Sequence, residues 1–404
     1  MNRRDFIAVL GALSASLGGC QENPSSSLSY LENFLNQMLE DFGLPGLSLA
    51  VTSSRELIHS AGYGFADIGV QRPMTADTLL NIGSVSKTVT ATAAMQLWEH
   101  GAFTLDQDVG EFLDFPVRNP AHPDVAITFR QILAHRSSIT DGAAYAASYK
   151  CGDPEVSLAD WIEGFFTPQG QFWSPGNFHV WSPGTANPPQ RPRPYSNVAY
   201  GLLARLVEVI TGRDFDRVCR EKIFDPLGMA DTNWFLKDLD PSRHAVPYTH
   251  LGEDFEIPAG GDLQGMLPQA GLDATTLRPG ELFPHCLYSF YNYPDGLLRS
   301  SAPELAVFLR AVMMVYEEGE ETILKPDTAR MMLSDQHFGQ ALCWSQREVK
   351  PGPAFWGHSG GDPGISTYMG FQPGKDIGMV VLFNSGGPAA AHDRVLYQVL
   401  EEFQ

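Results

Sequence analysis

Among the seven lysines of this chain, Lys87 alone has a serine three residues before it, in the stretch Asn81-Ile82-Gly83-Ser84-Val85-Ser86-Lys87-Thr88. The helix-forming run from Val89 to Trp98 follows directly. Residues at i and i+3 share one helix face, so Ser84 Oγ and the Lys87 amine can meet. The positive end of such a helix favours a developing serine alkoxide and disfavours a charged lysine. A weak nucleophile then has an adjacent amine able to take its proton, which is what covalent acyl transfer requires. By itself a Ser-x-x-Lys is weak evidence, because most such pairs are surface neighbours.

Two further motifs strengthen it. Tyr195-Ser196-Asn197 is the one Tyr-x-Asn among thirteen tyrosines. A free phenol, with a pKa of about 10, is a poor base at neutral pH, but beside a lysine ammonium its phenolate is favoured. Tyr195 could therefore shuttle a proton for Ser84, while Asn197 has the donors and acceptor to fix Lys87 and a substrate amide. Alone, the motif would read as a tyrosine-capped turn before a helix starting at Val198. The third motif is Gly357-His358-Ser359-Gly360-Gly361. An edge strand with adjacent glycines lets a substrate backbone lie close, and the Gly361 N–H could complete an oxyanion hole with that of Ser84.

The elements that must carry these residues follow from pattern. Leu47 to Thr52 and Glu56 to Asp67 predict two strands around a Ser53-Ser54-Arg55 turn, and Ser366 to Gln372 with Ile377 to Asn384 predict a second hairpin. Val89 to His100, Ile127 to His135, Tyr200 to Thr211 and Phe215 to Ile223 predict helices. Ser301 to Met314 opens with Ser-Ala-Pro-Glu, the signature of a capping box with early proline. Strands near both ends with helices between predict an α+β fold: an antiparallel β-sheet covered by terminal helices (Leu28 to Phe42 and His392 to Phe403), with an inserted, mostly helical domain. The expected division is a sheet domain of 30–86 with 290–404, interrupted by a helical domain of 87–289. Within it, 142–194 is poor in regular pattern, and loops of that length are usually functional. Phe172, Trp173, Phe178 and Trp181 in that region either line a cleft or pack the loop.

Residues 1–19 read as an export signal: Arg3 and Arg4, a short apolar run, then Leu17-Gly18-Gly19-Cys20. The run is too short to span a bilayer permanently. Leu-Gly-Gly-Cys resembles a bacterial lipobox, which would make Cys20 the lipidated N-terminus, with 20–29 as a tether. Arg-Arg-x-Phe-Ile fits either a plain basic leader or a twin-arginine export signal. The expected location is the cell envelope, on the periplasmic side of the inner or outer membrane. A net charge of −20 argues against nucleic acid, and the sequence carries no polybasic segment for anionic lipid, so any membrane attachment falls to the lipid. No histidine sits in a metal-ligand spacing, so neither a metal nor another cofactor is expected. His135, near a predicted helix end, reads as a cap or a core residue. Cys151, Cys219, Cys286 and Cys343 allow three pairings that sequence cannot separate; Cys219 lies in a helical run as a buried thiol, and a Cys151–Cys286 disulfide is one option in an oxidising envelope.

With these motifs in hand, the chain resembles the serine β-lactamase and penicillin-recognising hydrolase superfamily, most of all its class C β-lactamase-like branch, which also holds D-peptidases and esterases. The likeness spans nearly the whole mature chain. It includes Leu44-Pro45-Gly46, Gly62 to Asp67, Ile127-Thr128 through His135, Tyr195 to Leu203, Pro226 to Met229 and Asp295 to Ser300. The resemblance implies Ser84 as acylated nucleophile, Lys87 as its activator, Tyr195 as general base and acid, and Asn197 as a positioning residue. The family's Lys-Thr-Gly corresponds to His358-Ser359-Gly360 here. A lysine would be a permanent cation for a substrate carboxylate. Histidine, with a pKa near 6.5, is largely neutral at pH 7 and would titrate close to neutrality. That departure argues against efficient β-lactam hydrolysis. Ser138 stands where the family usually has glycine, and it and His135 read as structural.

The expected function is a serine hydrolase that forms an acyl-enzyme on a small ester, amide or D-peptide-like substrate. The alternatives are a β-lactamase proper and a penicillin-binding-type lipoprotein that binds peptidoglycan stems with little turnover. Gly357 to Gly361 also fits Gly-x-Ser-x-Gly, the nucleophile elbow of α/β-hydrolases. That elbow needs a strand before it, a helix after it and further strand–helix units, and too little chain follows.

Overall fold

The computed structural model describes residues 26–185, 194–250, 281–336, 340–348, 354–386 and 389–403. The expected leader and Cys20 lie outside the described residues. The first element is helix α1, Ser26–Phe42, so the tether expected to reach Ser29 gives way to helix earlier. Leu31, Leu35, Met38 and Leu39 are buried on one stripe of that helix, and their packing carries helical order toward its N-terminus.

Seven antiparallel strands form the main sheet. They are β1 (Gly46–Thr52), β2 (Leu57–Asp67), β3 (Arg72–Pro73), β4 (Ser345–Arg347), β5 (Phe355–Asp362), β6 (Ile365–Gln372) and β7 (Ile377–Phe383), in the spatial order β4-β5-β6-β7-β1-β2-β3. The two ends of the chain meet at β1 and β7, where Leu47 faces Phe383 and Thr52 faces Gly378. Both strands are buried at every residue, because both sheet faces are covered. Leu47, Leu49, Val51, Met379 and Val381 pack with Leu35 of α1 and with Val395 and Val399 of the C-terminal helix α5 (Ala389–Phe403). The opposite face carries Ala50, Val380 and Leu382, which pack with Leu305 and Leu309 of α4 (Ala302–Met313). That second core runs on into the helical region, through α2 (Ser86–Glu99) and α3 (Val198–Thr211).

Several boundaries differ from the sequence expectation for local reasons. The helix expected over Ile127 to His135 shrinks to Phe129–Leu133. Thr128 and Gln131 form a capping box at its start, and His135 turns into the left-handed region at φ 53°. The Phe215 run is α-helical only to Cys219 and continues as a π turn over Arg220–Phe224. Ser301 accepts from the Glu304 N–H at 3.4 Å, but the Glu304 carboxylate turns away to Asp231 N and Thr232 Oγ1, so only half of the capping box forms. Among its described residues the 142–194 region contains two α-helices, Gly142–Ala146 and Leu158–Phe166. The second is capped by Ser157 and anchored by buried Trp161 and Phe165. Phe172 packs on Trp161 and Tyr291, Trp173 on Phe178, and Trp181 stacks on His179, so these aromatics pack the region. Short strand pairs also occur within the domain expected to be mostly helical. One of them, Lys150–Cys151 with Tyr288–Ser289, adjoins a Cys151–Cys286 disulfide, while Cys219 and Cys343 are buried free thiols.

Candidate active site

Ser84 sits in a 3₁₀ turn, Gly83–Val85, that runs straight into α2. Leu80–Asn81 pairs with Arg299–Ser300 just before it, which fixes where the turn enters. The first ten residues of α2 are buried, Lys87 completely. Strand β5 lies against the turn. A Cβ on Gly360 would come within 2.3 Å of Ile82 O and 2.2 Å of Thr367 Oγ1, so only glycine permits this approach. The same built Cβ position lies 3.1 Å from Ser84 N, and that of Gly83 (φ 53°) lies 3.0 Å from Gly361 N. Two backbone amides, those of Ser84 and Gly361, are thereby gathered beside the serine. Pairing with β4 covers only Phe355 to Gly357, so on that side β5 has no strand partner among the described residues from His358 to Asp362.

Lys87 is the centre of the site. Its three N–H groups are shared among four acceptors within reach of Nζ, Ser84 Oγ (3.0 Å), Asn197 Oδ1 (2.7 Å), Asp295 O (2.8 Å) and Asp295 Oδ2 (3.2 Å), and Nζ lies 4.9 Å from the centre of the Tyr195 ring. Asp141 determines which way the Asn197 amide points. Its carboxylate accepts from Asn197 Nδ2 (2.9 Å), Asn197 N (2.6 Å) and Val198 N (3.1 Å), which leaves Oδ1 for Lys87. Asn197 thus positions the lysine, with one Nδ2 hydrogen committed to Asp141. Tyr195 exposes 36 % of its surface to the cleft, with its hydroxyl toward Ser84 and Lys87, and His135 stacks on its ring.

The electrostatics correct two expectations. Burial alone would lower Lys87, but a Tyr195 phenolate and the Asp295 carboxylate, through charge and hydrogen bonds, outweigh it, and the net direction is up. Lys87 is therefore an ammonium at rest, not the neutral amine expected from the helix terminus. Burial also raises Tyr195 more than Lys87 and the hydrogen bonds with Lys87 and Ser84 lower it, so the resting side chain is a phenol. His358 is buried, Nδ1 lies 2.7 Å from Ser359 O, and burial with nearby Lys87 pushes its pKa down to about 4. It is neutral throughout the near-neutral range, so the expected titration there does not occur.

Cavities open on both sides of Ser84. One of about 250 Å³ is lined by Arg136, Tyr195, Cys343, His358 and Ser359, and one of about 180 Å³ by Tyr145, Tyr149, Asn197, Phe290 and Asp362. A larger cavity of about 480 Å³ lies elsewhere, against Glu99, Arg213 and Glu221, away from these residues. Ser359 is exposed on β5, which a tight turn joins to another strand, so the nucleophile-elbow reading fails. Ser138, like His135, takes positive φ, at 64°.

Sequence reading missed Asp141, Tyr145 and the carboxylate of Asp295, and it left His135 as bland. Asp295 was visible only as part of Asp295 to Ser300, and nothing local ties it to Lys87.

The Beta-lactamase family model matches residues 31–402. Penicillin-binding protein 4 of Amycolatopsis lactamdurans is 27 % identical over 364 residues, 88 % of this chain and 85 % of that protein. Esterase EstB of Burkholderia gladioli is 26 % identical over 288 residues, covering 68 % of this chain and 69 % of that one. Among solved structures, D-amino acid amidase from Ochrobactrum anthropi SV3 superposes with a TM-score of 0.71 at 21 % identity, over 93 % of this chain and 99 % of that one. With the family model matching nearly the whole described chain, this protein belongs to the β-lactamase family and is a serine hydrolase.

Proposed function

We propose that this protein hydrolyses esters or amides of small D-amino-acid-like or peptide substrates through an acyl-enzyme on Ser84, as an exported lipoprotein of the cell envelope. The observation that carries the reading is the 3.0 Å contact between Lys87 Nζ and Ser84 Oγ, with Asn197 and Tyr195 closing around the same ammonium. Ser84 Oγ attacks the carbonyl carbon, and its proton passes to the Lys87–Tyr195 unit once that unit has lost one of its own. The negative oxygen of the tetrahedral intermediate is met by the N–H groups of Ser84 and Gly361. Collapse breaks the bond to the alcohol or amine, which leaves with the proton held by the unit. Water then attacks the acyl-serine by the reverse proton path.

Ser359 and the open edge of β5 would align the substrate, and Gly360 keeps that strand close to the nucleophile. A neutral His358 supplies no fixed cation for a carboxylate, which favours ester or amide substrates over efficient β-lactam turnover. The Amycolatopsis penicillin-binding protein, the Burkholderia esterase and the Ochrobactrum amidase are relatives in keeping with this range. The Cys151–Cys286 disulfide suits an oxidising compartment and supports the export reading made from Cys20.

Intact-protein mass spectrometry with a fluorophosphonate or an aryl ester tests the acylation. One adduct is expected in wild type and none in Ser84→Ala. An adduct kept in Ser84→Ala and lost in Ser359→Ala would overturn the assignment.

A further inference from the structure

The geometry points to Asp295 as a positioning residue that keeps the proton of the Lys87–Tyr195 unit on Lys87, so that Tyr195 is the base that takes the Ser84 proton. The inference rests on the proposed acylation of Ser84 and goes beyond it. Asp295 is 2 % exposed, and its Oδ2 lies 3.2 Å from Lys87 Nζ. It is the one carboxylate in ion-pair contact with that lysine among the described residues. Three donors converge on it. Besides Lys87, Tyr145 OH gives to Oδ2 at 3.0 Å and Asn292 Nδ2 gives to Oδ1 at 2.8 Å. Burial raises the Asp295 carboxyl on balance, opposed by Lys87 and Asn292, and the 3.2 Å contact makes that carboxyl the counter-ion of the Lys87 ammonium.

The physical consequence concerns which group gives up the first proton. The unit can lose it from Lys87, leaving an amine beside a phenol, or from Tyr195, leaving an ammonium beside a phenolate. A carboxylate in contact with the lysine favours the second form and makes the first loss harder. When Ser84 attacks, its O–H bond breaks toward Tyr195 Oη. The phenol so formed later returns that proton to the leaving alcohol or amine, and Lys87 remains an ammonium throughout.

Other titratable groups around the unit do not explain a change in this range. His358 is pushed down to about 4 and His135 lies well below its usual value, by burial and by Lys87. Burial pushes the Cys343 thiol up to about 12. Tyr145 and Tyr149 are raised well above the usual phenol value by burial and by Asp295 and Asp362. Asp141 also faces Asp295, but it is held by Asn197.

The test compares wild type and Asp295→Asn in kcat/KM for a neutral aryl ester across pH 5.5–10.5. Tyrosinate absorbance is followed in parallel as the difference from Tyr195→Phe. Loss of the carboxylate should move the acid limb down by at least about one pH unit and reduce the tyrosinate signal that accompanies it. An acid limb that stays in place, or a lower plateau with no shift, overturns the proposal, since a purely structural role predicts only that. Tyr145→Phe is the second variant and covers a failure of Asp295→Asn to fold. Removing a donor from Asp295 leaves more of its charge for Lys87, so the limb should move up; a limb unmoved or lowered overturns the proposal. Absence of a Ser84 adduct in wild type would instead refute the acylation reading itself.

Discussion

His135 lies against the ring of Tyr195, with centroids 4.2 Å apart and planes 28° from parallel. The imidazole is held in place by a left-handed backbone and by Ser196 N, which donates to its Nδ1 at 3.3 Å. Burial and the neighbouring Lys87 keep it neutral, so what it offers the phenol is a flat surface and not a charge. His135→Ala should therefore free the Tyr195 side chain. We expect kcat to fall about 10- to 100-fold with a smaller change in KM, while the far-UV circular dichroism stays that of wild type. A kcat within twofold of wild type would show that the stack does not hold the phenol.

Lys87 and Tyr195 should behave as one proton-transfer unit. Lys87→Ala and Tyr195→Phe are each expected to lower kcat by at least about 100-fold, and the double variant to be little worse than either. Both groups are raised, so the unit holds both protons at neutral pH. The reactive form is then a minority that grows as pH rises, and kcat/KM should increase by about tenfold per pH unit from pH 6 to 8. Multiplicative losses, or a flat profile, would contradict the unit.

His358 gives a contrasting prediction. With its pKa pushed to about 4, it stays neutral from pH 5.5 to 8.5. The ratio of kcat/KM for a matched anionic and neutral ester should therefore carry no inflection near pH 6.5. His358→Lys would restore a fixed cation and is expected to improve the anionic partner selectively, by roughly tenfold.

The buried histidines also set an acid limit on stability. His358, His285 and His392 are each lowered to about 4, chiefly by burial. The unfolded chain, with histidines near 6.5, binds more protons than the native state between those values. Their contribution is thus fully present above pH 6.5 and is lost as pH falls toward 4. Urea midpoints measured at pH 7.5, 6.5, 5.5 and 4.5 should fall at each step below 6.5.

The Cys151–Cys286 bond closes a separation of 135 residues. In the chain-entropy account, such a loop stabilises by restricting the unfolded chain, by about 2 to 5 kcal/mol. Cys151→Ser, or mild reduction, should lower the urea midpoint accordingly, with Cys219 and Cys343 still protected from alkylating reagents because both are buried. A midpoint that ignores reductant would show the bond is not formed in solution.

Much of this protein was legible along the chain because the relevant interactions are local. Ser84 and Lys87 share one helix face through i,i+3 spacing, and alternating or continuously apolar runs around turn residues placed the strands of the two hairpins. The closing glycines of β5 marked a close approach that the structure puts against Ile82 and Ser84. What tertiary structure alone decided involves groups brought together from far apart, for which no periodicity gives notice. Asp295 reaches Lys87 across 208 positions, and Asp141 orients Asn197 across 56. Protonation states belong to the same class. A histidine in a Gly-His-Ser-Gly stretch reads as a group titrating near neutrality, and a lysine at a helix start as one pushed toward the amine. Desolvation moved the first down to about 4, and Tyr195 together with the buried Asp295 carboxylate held the second as an ammonium, because burial and counter-ions are properties of the packed molecule rather than of the local sequence.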